Sequence, residues 1–178
     1  MSANILLIGE APNARDVKRG LETSLAGKAA GVVGSAALVR YPLLLEFARR
    51  TRWVNLLREW PGSKQRGSAF PMDDAEAMAQ RLVSMLQRGY AWDRTDRVIQ
   101  ASPTMILLAG HRVGRAFGYM QDDYFASRDP IDDVDAQVFV VPPPSGLGRY
   151  WADRRNQIRA RAFLEGLVRE SDAIELSL

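Results

Sequence analysis

The sequence predicts an α/β protein, a single domain over residues 1–178 built as a three-layer α/β/α sandwich with a central four-stranded parallel sheet. Three observations predict it. Four short apolar runs, Ile5–Ile8, Trp53–Leu57, Met105–Leu108 and Val138–Val141, are bounded by turn residues, as strands covered on both faces are. Helical patterns fall between them, and strand–helix alternation builds parallel sheets. With 178 residues, 47% of them apolar, the chain can bury one good core and not two.

The first strand empties into Gly9, Glu10, Ala11, Pro12 and Asn13, a turn that carries a carboxylate. A helix is possible over Asp16–Leu25, and Pro42 can open a short one through Phe47. After the strand Trp53–Leu57, residues 61–68 read as a polar loop rich in Gly and Ser. Asp73 and Asp74 are expected to cap a helix whose apolar face is Ala75, Met78, Ala79, Leu82, Val83 and Leu86, with Gly89 as its stop. The third strand leads into Gly110-His111-Arg112-Val113-Gly114, where glycines four apart indicate a helix pressed close to a sheet. The fourth strand ends in Pro142, Pro143, Pro144, Ser145 and Gly146. A last helix, starting near Asp153, is expected to bury Ile158, Ala162, Phe163 and Leu167, with residues 171–178 as a trailing end.

Composition excludes several chemistries. There are no cysteines, hence no disulfide and no thiolate zinc site, and one histidine, His111, is too few for an ordinary transition-metal centre. No cofactor and no metal are expected. No run reaches the ~18 apolar residues of a membrane span, and no charged segment precedes the first apolar stretch, so the expectation is a soluble, cytoplasmic monomer without a signal peptide.

Net charge is +3, but its distribution is uneven. Between Arg40 and Arg66 seven Lys/Arg stand against Glu46 and Glu59, and between Arg149 and Glu170 six Arg stand against three acids. From Asp122 to Asp135 six Asp face the single Arg128. A basic face suits DNA, because phosphate contacts supply most nonspecific affinity; a solvated mixed surface fits the charge pattern as well.

In open parallel sheets, ligands bind beyond the carboxyl ends of the strands. Glu10, Asn55, the His111 loop and Ser145 all follow or end a predicted strand, so they are expected to share one rim. Nucleotide devices fail on spacing. Six residues separate Gly20 from Gly27, where a phosphate loop has four, and Ala29 stands where the magnesium-binding Ser/Thr would be. Gly110, Gly114 and Gly118 are wrongly spaced for a dinucleotide fingerprint.

Gly9-Glu10-Ala11-Pro12 after an apolar strand resembles the first motif of the uracil-DNA glycosylase superfamily, in the Gly-Glu-Ala-Pro-Gly form of its thermophilic-type members. Pro143-Pro144-Ser145 with Gly146, Leu147, Gly148 and Arg149 resembles its second motif, His-Pro-Ser followed by a short loop. Asn55 falls where the superfamily has a base-reading asparagine. The three occur in the same order, and the resemblance covers roughly residues 3–169. It implies the superfamily's fold and a DNA glycosylase, which must stabilise positive charge on the sugar, negative charge on the leaving base, and an attacking water.

Within that resemblance Glu10 would orient or deprotonate the water, and Asn13, in place of the family's glycine, would add a contact to water or base. Asn55 offers a donor and an acceptor to a flipped pyrimidine, on which Tyr41 or Phe47 would stack, with a core role the stronger expectation for Phe47. Ser145 and the amides around Gly146 would hold a phosphate, Leu147 would wedge the helix open, and Arg149, Arg154 and Arg155 would grip the backbone. Tyr150 and Trp151 would stack there or anchor the loop.

The chain departs from the family at Pro143, where the second motif begins with histidine, and at Gly148, where an asparagine is usual. Proline has no side-chain donor for the departing base; His111 is a candidate substitute. Losing both side chains enlarges the pocket. The expectation is therefore a glycosylase for a modified pyrimidine with a substituent at its 5-position, up to a hypermodified viral base such as glucosylated 5-hydroxymethylcytosine in antiviral defence. Alternatives are a non-catalytic DNA- or base-binding module, a uracil-DNA glycosylase of base-excision repair, and a small-molecule enzyme such as a nucleoside hydrolase.

Overall fold

A computed structural model of the chain describes residues 5–11, 47, 50–58, 70–93, 96–120, 123–143, 150 and 153–175. Its centre is a five-stranded, mainly parallel sheet in an α/β arrangement. Strands β1 (Ile5–Gly9), β2 (Thr51–Asn55), β5 (Met105–Ala109) and β7 (Gln137–Val141) are parallel, and β6 (Ser127–Arg128) closes one edge antiparallel, in the order β2-β1-β5-β7-β6. The four expected strands are those four. β2 begins two residues earlier than its apolar run, because Thr51 and Arg52 already pair with Ile5 and Leu6. Beyond it, the amides of Leu56 and Leu57 still donate to the Gly9 and Glu10 carbonyls at 2.8 Å.

The central strands β1 and β5, and β7 after Gln137, are apolar because both faces are covered, while the outer β2 keeps Thr51, Arg52 and Asn55. Leu6, Ile8, Val54, Ile106, Leu108, Val138 and Val140 meet helix α1 (Met72–Leu86) on one face through Ala75, Ala79, Leu82 and Leu86. Ile5, Leu7, Met105, Leu107, Phe139 and Val141 meet helix α3 (Arg154–Glu175) on the other through Leu164, Leu167 and Val168. Each fully buried Leu or Ile is worth about 1.5–3 kcal/mol relative to exposure. Phe47 is helical and completely buried against Ile5 and Leu7, so it belongs to this core and is not a platform for a base.

Two helix expectations need correction. Neither Asp73 nor Asp74 caps α1: the N-cap is Pro71, whose carbonyl accepts from Ala75 N–H at 3.0 Å, and the acids occupy the first turn, where they suit the helix dipole. In α3, Ile158 is 59% exposed and Ala162 is also exposed, whereas Ala160, Leu164, Leu167 and Val168 are buried. That stripe steps four, three and one residues and is as regular as the expected one, but it is set by where the sheet lies. Asp153 does start the helix, its Oδ1 accepting from Arg155 N–H at 2.8 Å.

Helix α2 (His111–Ala116) lies so close to the sheet that a Cβ on Gly114 would stand 3.2 Å from Val140 Cγ2. The glycine spacing thus marks a helix-on-strand contact. Two short strands were not expected, β3 (Tyr90–Trp92) and β4 (Val98–Gln100), which pair as an antiparallel hairpin separate from the main sheet. The candidate helices over Asp16–Leu25 and, apart from Phe47, from Pro42 onward lie outside the described residues. No helix among the described residues is long and apolar enough to cross a membrane.

Candidate functional site at the strand ends

The register brings three of the four expected rim positions, Glu10, Asn55 and the His111 loop, to one edge; Ser145 lies outside the described residues. Gly9 pairs with Asn55, Ile8 with Leu108, and Ala109 with Val141, so Glu10, Asn55, Gly110, His111 and Pro143 all stand at the carboxyl edge of the sheet.

Glu10 follows β1 directly. Its carboxylate is half-buried, with Arg112 Nη1 at 3.9 Å from Oε2. Burial pushes its pKa above the ordinary 4.5, and the charge of Arg112 opposes that rise without cancelling it. A carboxylate so raised is a stronger proton acceptor once ionised, the property a general base for water requires.

Gly110 lies between the end of β1 and the end of β7. This residue has φ +101°, a conformation glycine adopts without strain, and its N–H donates to the Val141 carbonyl at 2.8 Å. A Cβ there would lie 3.5 Å from Pro143 Cβ and 3.7 Å from Glu10 Oε1. Pro143 and the Glu10 carboxylate thus both lie close to Gly110, and the proline brings no side-chain donor.

Asn55 ends β2, next to β1. Its Oδ1 is buried and without a hydrogen-bond partner, while its main-chain carbonyl accepts from Trp92 Nε1 at 3.0 Å. An unpaired buried carbonyl oxygen costs about 1–3 kcal/mol, which an N–H from a ligand would recover. On the opposite side of β1, His111 opens α2 after β5. Its ring stacks on Tyr124, with centroids 4.2 Å apart and planes 17° from parallel, and its Nδ1 is also buried without a partner. Tyr124 meets Tyr150 edge-on at 5.2 Å, which ties the imidazole to the residue where the chain returns from the second motif. Arg154 and Arg155 are exposed at the start of α3. Asn13, Tyr41, Ser145, Gly146, Leu147 and Arg149, with Trp151, lie outside the described residues.

Sequence reasoning missed Arg112, Trp92 and Tyr124. Arg112 had a signal, since it is adjacent to His111 on a loop already assigned to the rim. The other two act across 37 and 13 residues of chain and left none. A separate open groove of about 790 Å³ runs between α1 and residues 115–120 and 130–132, lined in part by Gln80, Ser84 and Tyr119. It includes none of Glu10, Asn55 or His111.

The chain matches no protein-family model and no curated protein sequence.

Proposed function

We propose that this chain is a DNA glycosylase of the uracil-DNA glycosylase type, with that superfamily's three-layer sandwich, acting on a modified pyrimidine. The observation that carries the reading is the convergence of two motif turns at one glycine: Glu10 and Pro143 both flank Gly110, on the same strand-end rim as an asparagine whose Oδ1 is unpaired.

The chemistry follows from those groups. A flipped nucleotide presents its base edge to Asn55, whose amide offers both an acceptor and a donor. Glu10 takes a proton from water as the water oxygen bonds to C1′. The C1′–N1 bond breaks, its electron pair leaves with the base, and the sugar's developing positive charge is offset by the carboxylate. The products are free base and an abasic site. Loss of the histidine ring at Pro143, together with Gly148 in place of asparagine, leaves a larger pocket, which favours a 5-substituted pyrimidine, with glucosylated 5-hydroxymethylcytosine and a role in antiviral defence at the far end of that range. Arg154 and Arg155 suit the flanking phosphates, and the protein acts in the cytoplasm as a monomer without metal or cofactor.

Duplexes carrying uracil, 5-hydroxymethyluracil or glucosylated 5-hydroxymethylcytosine, incubated with the protein and then treated with alkali, test the reading. Strand breaks at the 5-substituted bases are expected, with fewer at uracil. No break at any of them removes the enzyme. A second reading, base binding without turnover, draws on the missing donor at Pro143 and requires Glu10→Gln to leave the activity profile unchanged.

A further inference from the structure

The β3–β4 hairpin packs beside β2, and three side chains join the two. Trp92 Nε1 donates to the Asn55 carbonyl at 3.0 Å, Arg52 Nη1 donates to the Gln100 carbonyl at 2.5 Å, and Arg58 Nε lies 3.3 Å from Asp96 Oδ1. The first contact is within the core, since Trp92 is 1% exposed; the other two are at the surface.

Strand geometry explains why the first matters. The Leu56 N–H turns toward β1, where it donates to the Gly9 carbonyl. The Asn55 carbonyl belongs to the same trans peptide, whose C=O points opposite to its N–H, so it turns away from β1, toward the outer side of β2. Among the described residues no strand pairs there, and the indole N–H takes the place of one. The same residue carries the buried, unpaired Oδ1. A strand end left free would relieve that oxygen by rotating it toward water. The indole bond fixes the end of β2 at the Asn55 main-chain carbonyl while the amide oxygen of the same residue stays buried and unpaired.

We infer that Trp92 is a positioning residue for Asn55, and that the hairpin tunes base discrimination from outside the site. This rests on the glycosylase reading, in which Asn55 reads the base. Trp92 touches no substrate; it acts through the residue it holds.

The test measures Kd for duplexes bearing uracil, 5-hydroxymethyluracil or glucosylated 5-hydroxymethylcytosine, each against the same duplex with thymine. All proteins carry Glu10→Gln so that no product forms. Trp92→Phe keeps the ring and deletes the N–H. For the preferred base, its selectivity over thymine is expected to fall roughly five- to tenfold, the weight of one hydrogen bond. Affinity for the thymine duplex, set by phosphates, is expected to stay the same. In an Asn55→Ala background the same change is expected to have no further effect on selectivity.

Unchanged selectivity in Trp92→Phe, or an equal fall with Asn55 already removed, overturns the inference while leaving the glycosylase reading intact. Arg52→Met loosens the hairpin from the surface without entering the core, and a smaller fall of roughly two- to threefold is expected. Should Trp92→Phe not fold, that variant decides, and unchanged selectivity counts against the inference. If wild-type protein excises none of the three bases and no duplex is preferred over thymine, the glycosylase reading itself fails and takes this inference with it.

Discussion

Arg112 Nη1 lies 3.9 Å from Glu10 Oε2, yet the Glu10 carboxyl is harder to ionise than an ordinary glutamate. The arginine side chain is 61% exposed, so water screens much of its charge, while burial acts on the carboxylate without such relief. Two opposed effects thus set the pH at which Glu10 ionises, and only one can be removed by a surface substitution.

Excision by the wild-type protein is expected to fall in acid, along a limb whose midpoint lies above 4.5. Arg112→Gln removes the favourable charge, raises the Glu10 pKa further and moves that limb to higher pH. Single-turnover rates across the acidic range check this. A limb that stays in place would mean that Glu10 is not the titrating group.

Stability should respond with the opposite benefit. A carboxyl whose folded pKa exceeds its unfolded value loses stability as pH rises from the unfolded value through the folded one, because the unfolded chain gives up its proton first. Glu10→Gln carries no such penalty. Its melting temperature is expected to match the wild type below 4.5 and to exceed it at neutral pH, a comparison made by thermal denaturation at the two conditions.

Gly110→Ala places a side chain at φ +101°. The new methyl would meet Pro143 and Glu10 at ordinary contact distances of 3.5 and 3.7 Å, so the cost is backbone strain and not collision. A loss of about 1–3 kcal/mol in denaturant unfolding is expected, with a drop in excision as the strained backbone at Gly110 relaxes and shifts its neighbours Glu10 and Pro143.

His111→Phe retains a ring to stack on Tyr124 and removes a buried nitrogen that has no partner. Stability should be unchanged or rise by up to about 1 kcal/mol. Any fall in excision by so stable a variant would then belong to the imidazole's chemistry and not to its packing.

Arg154→Ala and Arg155→Ala alter exposed side chains, so stability should move by less than about 0.5 kcal/mol. If each contacts one phosphate, each lowers the slope of log Kd against log salt by about 1, read by fluorescence anisotropy on duplex DNA. Slopes equal to the wild type would place DNA elsewhere on the surface.

The four parallel strands were legible because each is a short apolar run that needs two covered faces, and because the turns after them carry Glu10, Asn55, His111 and Pro143. Gly114 was legible for the same local reason, its close approach to Val140 being written in glycine spacing. The hairpin was not, since Tyr90–Trp92 and Val98–Gln100 are too brief to show alternation, and β6 has two residues. Half of the expected stripe of α3 holds, since Leu167 is buried and Phe163 packs against the core, but Ile158 and Ala162 were misplaced because they satisfy helical periodicity as well as Ala160 and Leu164 do; only the position of the sheet chooses between them. Within the site, the positions of Glu10 and Asn55 follow from strand ends, but what holds them comes from Arg112 and Trp92, through contacts no local pattern records.

An indole on the outward carbonyl of Asn55 has a bearing on self-association as well. Open sheet edges are templates for strands of other molecules, and proteins that leave them bare risk growing into aggregates. Here one margin has its last carbonyl already occupied by Trp92, and the other ends in the two-residue β6 within an aspartate-rich stretch. Loss of the Trp92 N–H would therefore vacate a docking point for foreign backbone. Trp92→Phe should form thioflavin-positive aggregates sooner than the wild type when both are held near their melting temperatures.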